Sequence, residues 1–455
     1  MDVKQSSMVL WKVKMDNKKI NKDESIEEIL SDIILMFREE RIKEINSLVD
    51  KHNIICVKSN IVGLQKNTNY GDFVLKYFQK KIDDYIFINN ITINKKIVRM
   101  SFDGDYILYL LNKDIHLKEE MITLEESEEI GRLIDIDVYE ESQNGNGLVK
   151  SITRKNPRKC LICDNPVFIC QRLKTHTTEE LINKSRQMVF NKQKEMVLKA
   201  LKESMMLELD LHPKFGLVTK YSNGSHTDMN YEMMKNTQDI IIPYLVKMFE
   251  CGYNLDIKDI YKEIKKIGLS ADRAMLDYTN EVNVYKGVIF SLGIIVSALG
   301  YKFNGLGIVK QNILSISKKI AKDVKSEYSN HNTFGVKVYK EYGIGGAREE
   351  AYNGFLNVKQ TVKIIKDIND KNLLKALVNL IIELDDTVML KRAKSIERYM
   401  EIKNEFFMLD INNYDEVMKL NDKMIKENIS FGGCADILIC ALFIKLIQKS
   451  INIKI

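Results

Sequence analysis

The ten residues GRLIDIDVYE, positions 131–140, decide how the first part of this chain folds. Side chains along a β-strand alternate between its faces. Ile134, Ile136 and Val138 therefore share one face, and Asp135 and Asp137 share the other. The apolar face asks for a core. Two neighbouring carboxylates repel each other unless a cation lies between them. Such a pair suits Mg²⁺, which prefers carboxylates combined with substrate phosphates. A metal held in this way stabilises in-line displacement at phosphorus. A solvated amphipathic strand is the plainer reading of the same residues.

Outward from this strand, residues 25–52 carry Ile29, Ile33, Leu35, Met36, Ile42, Ile45, Leu48 and Val49 at helical spacing, and 54–57 reads as a short strand. A loop with Gly and Asn runs to Asn69, and a helix is predicted over 73–82. The runs 85–93, 97–102 and 106–111 read as β, with a turn at Asp103-Gly104. Segments 133–139 and 148–153 flank Gln143-Asn144-Gly145-Asn146-Gly147, a hairpin signal. From Glu179 onward almost every segment has helical period, and Pro213 and Pro243 are the only prolines, so long helices are expected. The pattern predicts two domains: an N-terminal α/β domain with a mixed or antiparallel sheet (1–188) and an all-α C-terminal domain (189–455). The boundary falls between positions 181 and 194, where no Ser/Gly-rich linker occurs and a continuous helix can join the halves.

A length of 455 residues suits two domains. Hydrophobic residues at 45% and charged residues at 29% are the proportions of a soluble protein with real cores. The formal charge of +6 is compatible with anionic substrates but too slight and dispersed for a nucleic-acid partner. Residues 1–21 lack a signal-peptide pattern. The apolar runs 288–299 and 437–447 are too short or interrupted to span a bilayer, so they are expected as buried helices with no membrane partner. Seven cysteines, four of them scattered, argue for a reducing compartment, hence a cytoplasmic location.

Cys160, Cys163, Cys170 and His176 follow the spacing C-x₂-C-x₆-C-x₅-H. Four N/S ligands with a CxxC knuckle match a closed, structural Zn²⁺ site. The alternative is a set of reduced thiols around a turn, with His176 opening the next helix or meeting phosphate. Arg38, Arg41, Lys66, Arg132, Arg158 and Arg172 are the cations able to meet a polyphosphate. Lys66 stands out because its loop, NIVGLQKN, follows an apolar strand.

The segment RKCLICDNPVFICQRLKTHTTEEL (158–181), together with GRLIDIDV, Arg38-Glu39-Glu40-Arg41 and Gly63-Leu64-Gln65-Lys66, resembles the citrate lyase holo-acyl-carrier-protein synthase family over about 24–184. The resemblance implies a nucleotidyltransferase-like domain. In that family a carrier-protein serine attacks the α-phosphate of triphosphoribosyl-dephospho-CoA, and pyrophosphate leaves. It also implies that Asp135 and Asp137 are the metal-binding pair. Residues from about 195 to 447 resemble triphosphoribosyl-dephospho-CoA synthase in five ordered blocks: HPKFGLVTKYSNGSHTDMNY (212–231), IGLSADRAMLDYTNEVNVYKGVIFSLG (267–293), GIGGAREEAYNG (343–354), DDTVMLKR (385–392) and NISFGGCADIL (428–438). That family joins the ribose of ATP to the 2′-hydroxyl of 3′-dephospho-CoA and releases adenine. The partners implied are ATP, 3′-dephospho-CoA and the acyl carrier protein (γ subunit) of citrate lyase, with Mg²⁺ as cofactor.

Breaking the glycosidic bond to adenine develops oxocarbenium character on the ribose. The reaction wants a carboxylate near the sugar, an acid for the base and a base for the incoming hydroxyl. His226 and Asp228 are candidates for metal or proton handling, and Lys214, Lys286 and Arg348 for phosphate contact. Asn283 can hydrogen-bond ribose or base. Glu349, Glu350, Asp385, Asp386 and Asp436 offer carboxylates, and Gly432-Gly433 allows close backbone approach to phosphate. Each has a plainer reading as a loop histidine, surface cation, helix cap or tight turn. The family pattern has Pro at Phe215, His at Tyr285, Gly-Asp-Thr-Asn at Asp385 to Val388, Arg-Gly-Gly at Arg392 to Lys394, Pro at Phe431 and Ser at Cys434. Rival readings are the same chemistry serving the malonate decarboxylase carrier, and a non-catalytic zinc-stabilised binding protein. A zinc-knuckle nucleic-acid binder is disfavoured by the weak charge and the lone Trp11.

Overall fold

The computed structural model describes residues 25–141, 148–150, 158–304, 311–324, 338 and 341–453. The chain divides into two compact units, one comprising residues 1–67 and 81–185 and the other 68–80 and 186–455.

The first unit is organised by five strands, β1 (Asn53–Ser59), β2 (Ile93–Arg99), β3 (Tyr106–Leu111), β4 (Ile134–Glu141) and β5 (Leu148–Lys150). They form one antiparallel sheet in the order β2-β3-β1-β4-β5. The central strand is buried almost throughout, as its run Asn-Ile-Ile-Cys-Val demands, and β3 is buried at every position. Helix α1 (Ile26–Val49) starts at a capping box in which Ser25 and Glu28 bond reciprocally. Its C-terminal part lays Ile45 and Val49 on Ile54, Cys56, Leu108, Leu110 and Tyr139 of the sheet. On β4, Ile134, Ile136 and Val138 are each at most 2% exposed, and helix α3 (Lys118–Glu126) packs against that strand. The turn of the expected hairpin at 143–147 lies outside the described residues, but β4 and β5 pair antiparallel on either side of it.

One expectation is overturned. The run 85–93 does not begin as a strand, because helix α2 spans Asn69–Ile88 and β2 starts only at Ile93. Phe78, Ile82 and Ile86 recur every four residues, and all three are buried. Aromatic and β-branched composition imitates a strand there, and burial along one helical face decides otherwise.

The division at 185/186 falls inside helix α5 (Thr178–Asp210). The second unit contains helices α6 (Tyr231–Asn254), α7 (Ile257–Thr279), α8 (Lys286–Phe303), α9 (Ile313–Ile320), α10 (Gly346–Asn353), α11 (Leu356–Ile364), α12 (Asp370–Glu383), α13 (Thr387–Ala393), α14 (Ile396–Phe407), α15 (Tyr414–Lys426) and α16 (Gly432–Ser450). Helix α6 packs on both α7 and α8, and α16 packs on α8, α11 and α12. Helix α8 is long and apolar enough to cross a membrane by composition, yet it is largely buried among the other helices. Apolar run and burial agree here with the expectation of core helices.

Candidate active sites and a cysteine–histidine cluster

The open end of the sheet face under α1 forms a cavity of about 430 Å³. Pairing of β1 with β4 sets Lys58 opposite Asp135 and Cys56 opposite Asp137. Both aspartates are half-buried and line this cavity. Helix α1 adds Arg38 and Arg41, three residues apart and hence on neighbouring positions of one helix face. Arg41 is buried and forked onto Asp103, donating from Nε at 3.2 Å and Nη2 at 2.7 Å. Lys58 pairs with the other oxygen of Asp103 at 3.3 Å. The Asp103-Gly104 turn must pass close beneath Lys58 and Lys66, and Gly104 does so at φ +101, where a side chain is strained.

Lys66 reaches the cavity from its loop, tied by its ammonium to the Ile61 carbonyl at 2.7 Å. Burial, then the neighbouring Lys58, lowers its pKa. Asp135 Oδ1 accepts from Arg158 Nη1 at 3.2 Å and Asn60 Nδ2 at 3.3 Å. Asp137 makes no ion pair among the described residues, which leaves its carboxylate available to the cavity. Burial pushes the adjacent Cys56 thiol up to about 12, so it stays protonated and inert. The residues expected from sequence are thus partly gathered. Asp135, Asp137, Arg38, Arg41 and Lys66 share one wall, whereas Arg172 is exposed near the end of a short helix and lines none of the cavities described here. Arg132 faces a second cavity, of about 360 Å³, beside the cysteines, and donates to the Lys159 carbonyl. Lys58 and Asp103 were not singled out from sequence. Lys58 is two residues from Cys56 on a strand, a signal readable only once the β1/β4 register is known.

Cys160, Cys163, Cys170 and His176 come together, their ligand atoms all within 4.8 Å of one another. Cys163 Sγ lies 3.4 Å from Cys170 Sγ and 3.3 Å from His176 Nε2. Three thiols and an imidazole in that arrangement can bind zinc.

The helical unit holds a larger cavity, about 810 Å³. The first turns of α8, α10 and α16 open onto it through Lys286-Gly287, Gly346-Ala347 and Gly432-Gly433. Unpaired amides and the positive ends of helix dipoles make such a wall favourable for anions. Around it stand Lys286, Arg348, Lys391, Arg392 and Lys394. Lys286 is exposed and 3.5 Å from Asp272, and Asn283 Oδ1 accepts from the Lys286 amide at 3.2 Å.

His226 is clamped between Ser430 Oγ, 3.0 Å from Nε2, and Arg392 Nη2, 3.2 Å from Nδ1. An arginine donates only, so Nδ1 accepts and the imidazole is neutral. Burial, then Arg392, lowers the histidine pKa in accord with that assignment. Asp228 is more exposed, its Oδ1 3.6 Å from Nδ1.

The carboxylates fall into different roles. Asp386 is buried and caps α13, accepting from Val388 N at 2.8 Å and Met389 N at 3.1 Å. Its second oxygen accepts from Cys434 N at 3.0 Å, joining α13 to the start of α16. Asp436 lies against the beginning of α8, where a Cβ on Gly287 would collide with its Oδ2. Burial, with Asp386 and Glu208 nearby, raises the Asp436 pKa well above the usual carboxylate range.

Two of the sequence candidates are placed apart from the anion-facing helix starts. Lys214 lines the cavity but is 1% exposed, and its ammonium bonds both the carboxylate and the carbonyl of Glu208 at 2.8 Å. Glu349 is absent from the cavity wall, where its neighbour Glu350 stands instead, accepting from Asn357 N at 2.7 Å. Glu208 and Ser430 were missed, because neither type nor spacing marks them before the helices assemble. The departures at 215 and 431 are linked in space, since Phe215 and Phe431 both pack edge-on to Phe406, at 4.7 and 5.2 Å between ring centres. At the third, Tyr285 is buried and accepts from Gln238 Nε2 at 3.0 Å.

Comparison with known proteins places two families in tandem. Residues 29–192 match the profile described as CitX: Apo-citrate lyase phosphoribosyl-dephospho-CoA transferase, and 194–454 match CitG: ATP:dephospho-CoA triphosphoribosyl transferase. Protein CitXG of Haemophilus influenzae is 28% identical over 441 residues, covering 90% of this chain and 94% of the relative. Protein CitXG of Leuconostoc mesenteroides subsp. cremoris is 31% identical over 375 residues, 74% of this chain and 79% of the relative. The 2-(5''-triphosphoribosyl)-3'-dephosphocoenzyme-A synthase of Haemophilus ducreyi is 27% identical over 320 residues, 62% of this chain and 98% of the relative.

Proposed function

We propose a division of labour between the two cavities from the premise that this chain belongs to the CitXG family, with CitX and CitG modules in tandem. The chain is a transferase that makes and attaches the prosthetic group of citrate lyase. In our reading, residues 189–455 form the synthase and 1–188 the attaching domain, both working in the cytoplasm on ATP, 3′-dephospho-CoA and the citrate lyase acyl carrier protein.

The helical cavity takes the triphosphate against the starts of α8, α10 and α16, with Lys286 and Arg348 countering its charge. That convergence of helix starts and cations carries the assignment. Asp436, kept protonated by its surroundings, hands its proton to the departing adenine. His226, neutral with its one lone pair on Nδ1, accepts there the proton of the 2′-hydroxyl that attacks the ribose, once the bound substrate draws Arg392 off that nitrogen. Asp386 acts by holding the glycine-rich start of α16 in place.

The sheet cavity performs nucleotidyl transfer to a carrier serine, with pyrophosphate leaving. Asp135 and Asp137 fit Mg²⁺, being hard oxygen donors on one face with Asp137 unpaired by any described cation. Bound there, the ion would neutralise charge on the phosphates. Arg38, Lys58 and Lys66 orient the polyphosphate, and Arg41 keeps Asp103 fixed beneath them.

The test is an incubation of purified protein with ATP, Mg²⁺ and 3′-dephospho-CoA, with and without apo-carrier. Adenine should appear in both, and pyrophosphate with a carrier mass gain only in the second. Asp135→Asn and Asp137→Asn should each abolish the mass gain and leave adenine release within about twofold of wild type. If adenine release stops as well, the two chemistries do not reside in separate cavities.

A further inference from the structure

We infer that Cys160, Cys163, Cys170 and His176 close around one zinc ion, and that this metal knuckle holds Arg158 in place on Asp135. The second half of the inference rests on the reading of the sheet cavity as the carrier-loading site.

Tetrahedral zinc with Zn–S near 2.3 Å and Zn–N near 2.0 Å sets its ligand atoms roughly 3.5–3.8 Å apart. The observed separations of 3.4 and 3.3 Å, with all four atoms inside 4.8 Å, need only small adjustment to reach that. The backbone has the form of a knuckle. Lys159 and Pro166 make an antiparallel bridge, Cys160 N donates to Asn165 O at 2.7 Å, and Val167 N donates to Arg158 O at 2.8 Å. Ile162 N points at Cys160 Sγ, 3.5 Å away. Helix α4 (Val167–Leu173) then carries Cys170 inward, and Lys174, at φ +49, turns the chain back so that His176 meets the cysteines. Three soft sulfurs and one imidazole favour zinc over hard cations, and four protein ligands leave no open position for catalysis.

Burial does not account for the fold of this segment. Of its large apolar side chains, Ile162, Phe168 and Leu173 are 40%, 56% and 70% exposed, and Leu161, Val167 and Ile169 are only half-buried. A stretch this short with no apolar core of its own calls for a cross-link, and bound metal is one.

The consequence for the neighbouring cavity follows from sequence distance. Arg158 stands two residues before the first ligand. Its guanidinium bonds Asp135 Oδ1 at 3.2 Å and the Ile134 carbonyl at 3.3 Å, and pairs with the buried Glu125. Arg132 is held by the carbonyl of Lys159, the residue just before Cys160. Arg158 is a positioning residue: through it the metal knuckle fixes one of the two carboxylates proposed for Mg²⁺.

The experiment uses the full chain, purified without chelator. Metal analysis should find one zinc per chain. Cys163→Ser and Cys170→Ser should each reduce it below a tenth and slow carrier modification at least tenfold, with the Mg²⁺ concentration for half-maximal loading raised severalfold. Adenine release should be unchanged, which verifies that the helical unit is folded, and the thermal unfolding of the sheet unit should remain cooperative. His176→Cys, supplying a fourth thiolate, should retain both zinc and loading. Wild-type protein that loads carrier while holding no zinc, or holding iron instead, overturns the metal assignment. Zinc-free Cys163→Ser that loads carrier at the wild-type rate overturns the positioning role. If wild-type protein holds its zinc but loads no carrier, the metal site stands and the assignment of the sheet cavity fails.

Discussion

Replacing Lys214 by alanine separates a structural strut from a phosphate ligand. Lys214 and Glu208 are each 1% exposed, and the ammonium lies 2.8 Å from both the carboxylate and the carbonyl of Glu208. Removing the ammonium strands a carboxylate that is almost wholly buried, which costs about 3–5 kcal/mol in comparable buried pairs. At roughly 2–4 °C per kcal/mol for a unit of this size, a loss of about 4 kcal/mol lowers the melting temperature by about 8–16 °C. The double variant Glu208→Gln with Lys214→Ala removes both charges together and should regain part of the loss, giving a coupling energy above about 2 kcal/mol. Scanning calorimetry of the four proteins closes the cycle. The adenine-release KM for ATP, measured well below the melting range, should move less than twofold in Lys214→Ala. A variant that melts within about 2 °C of wild type but shows a KM raised tenfold would refute this reasoning and return Lys214 to the triphosphate.

Two further outcomes test the helical cavity. If Asp436 is the proton donor, adenine release is sustained below its raised pKa and falls as pH climbs through it, because the ionised carboxylate has no proton to give. Asp436→Asn should then reduce the rate by roughly 10²–10⁴-fold, the usual range for general acid catalysis, and should abolish that alkaline limb; an unchanged profile in the variant assigns the limb to another group. Gly287→Ala places a methyl into Asp436 Oδ2 and should depress adenine release at least tenfold while carrier loading from supplied triphosphoribosyl-dephospho-CoA continues. Equal loss of both activities in that variant points to unfolding rather than to a displaced carboxyl.

The fold was legible wherever periodicity was unambiguous. The alternation at 134–138 and the helical spacing beyond position 179 are local properties, and local spacing survives into the assembled protein. It failed at 85–93, where Tyr85, Ile86, Phe87 and Ile88 have strand-like composition but complete a helix whose buried face begins further upstream. Cys160, Cys163, Cys170 and His176 were legible as a group because knuckle geometry is set by short spacings. Asp135 and Asp137 were legible as a pair for the same reason, and their acidic face does open on a cavity. Glu349 against Glu350 was not: adjacent helix positions differ by about 100° in direction, and spacing alone does not say which one faces the cavity.

What the residues fixed by themselves, then, is most relations spanning a turn or two of chain: which side chains share a face and which four ligands lie near one another. The tertiary structure decided the relations between distant residues. Lys58 meets Asp135 only through the β1/β4 register, His226 is held neutral by burial and by Arg392 arriving from α13, and Asp436 keeps its proton through burial beside Asp386 and Glu208. Charge and proton affinity depend on what surrounds a group in three dimensions, and long-range packing brings those surroundings together.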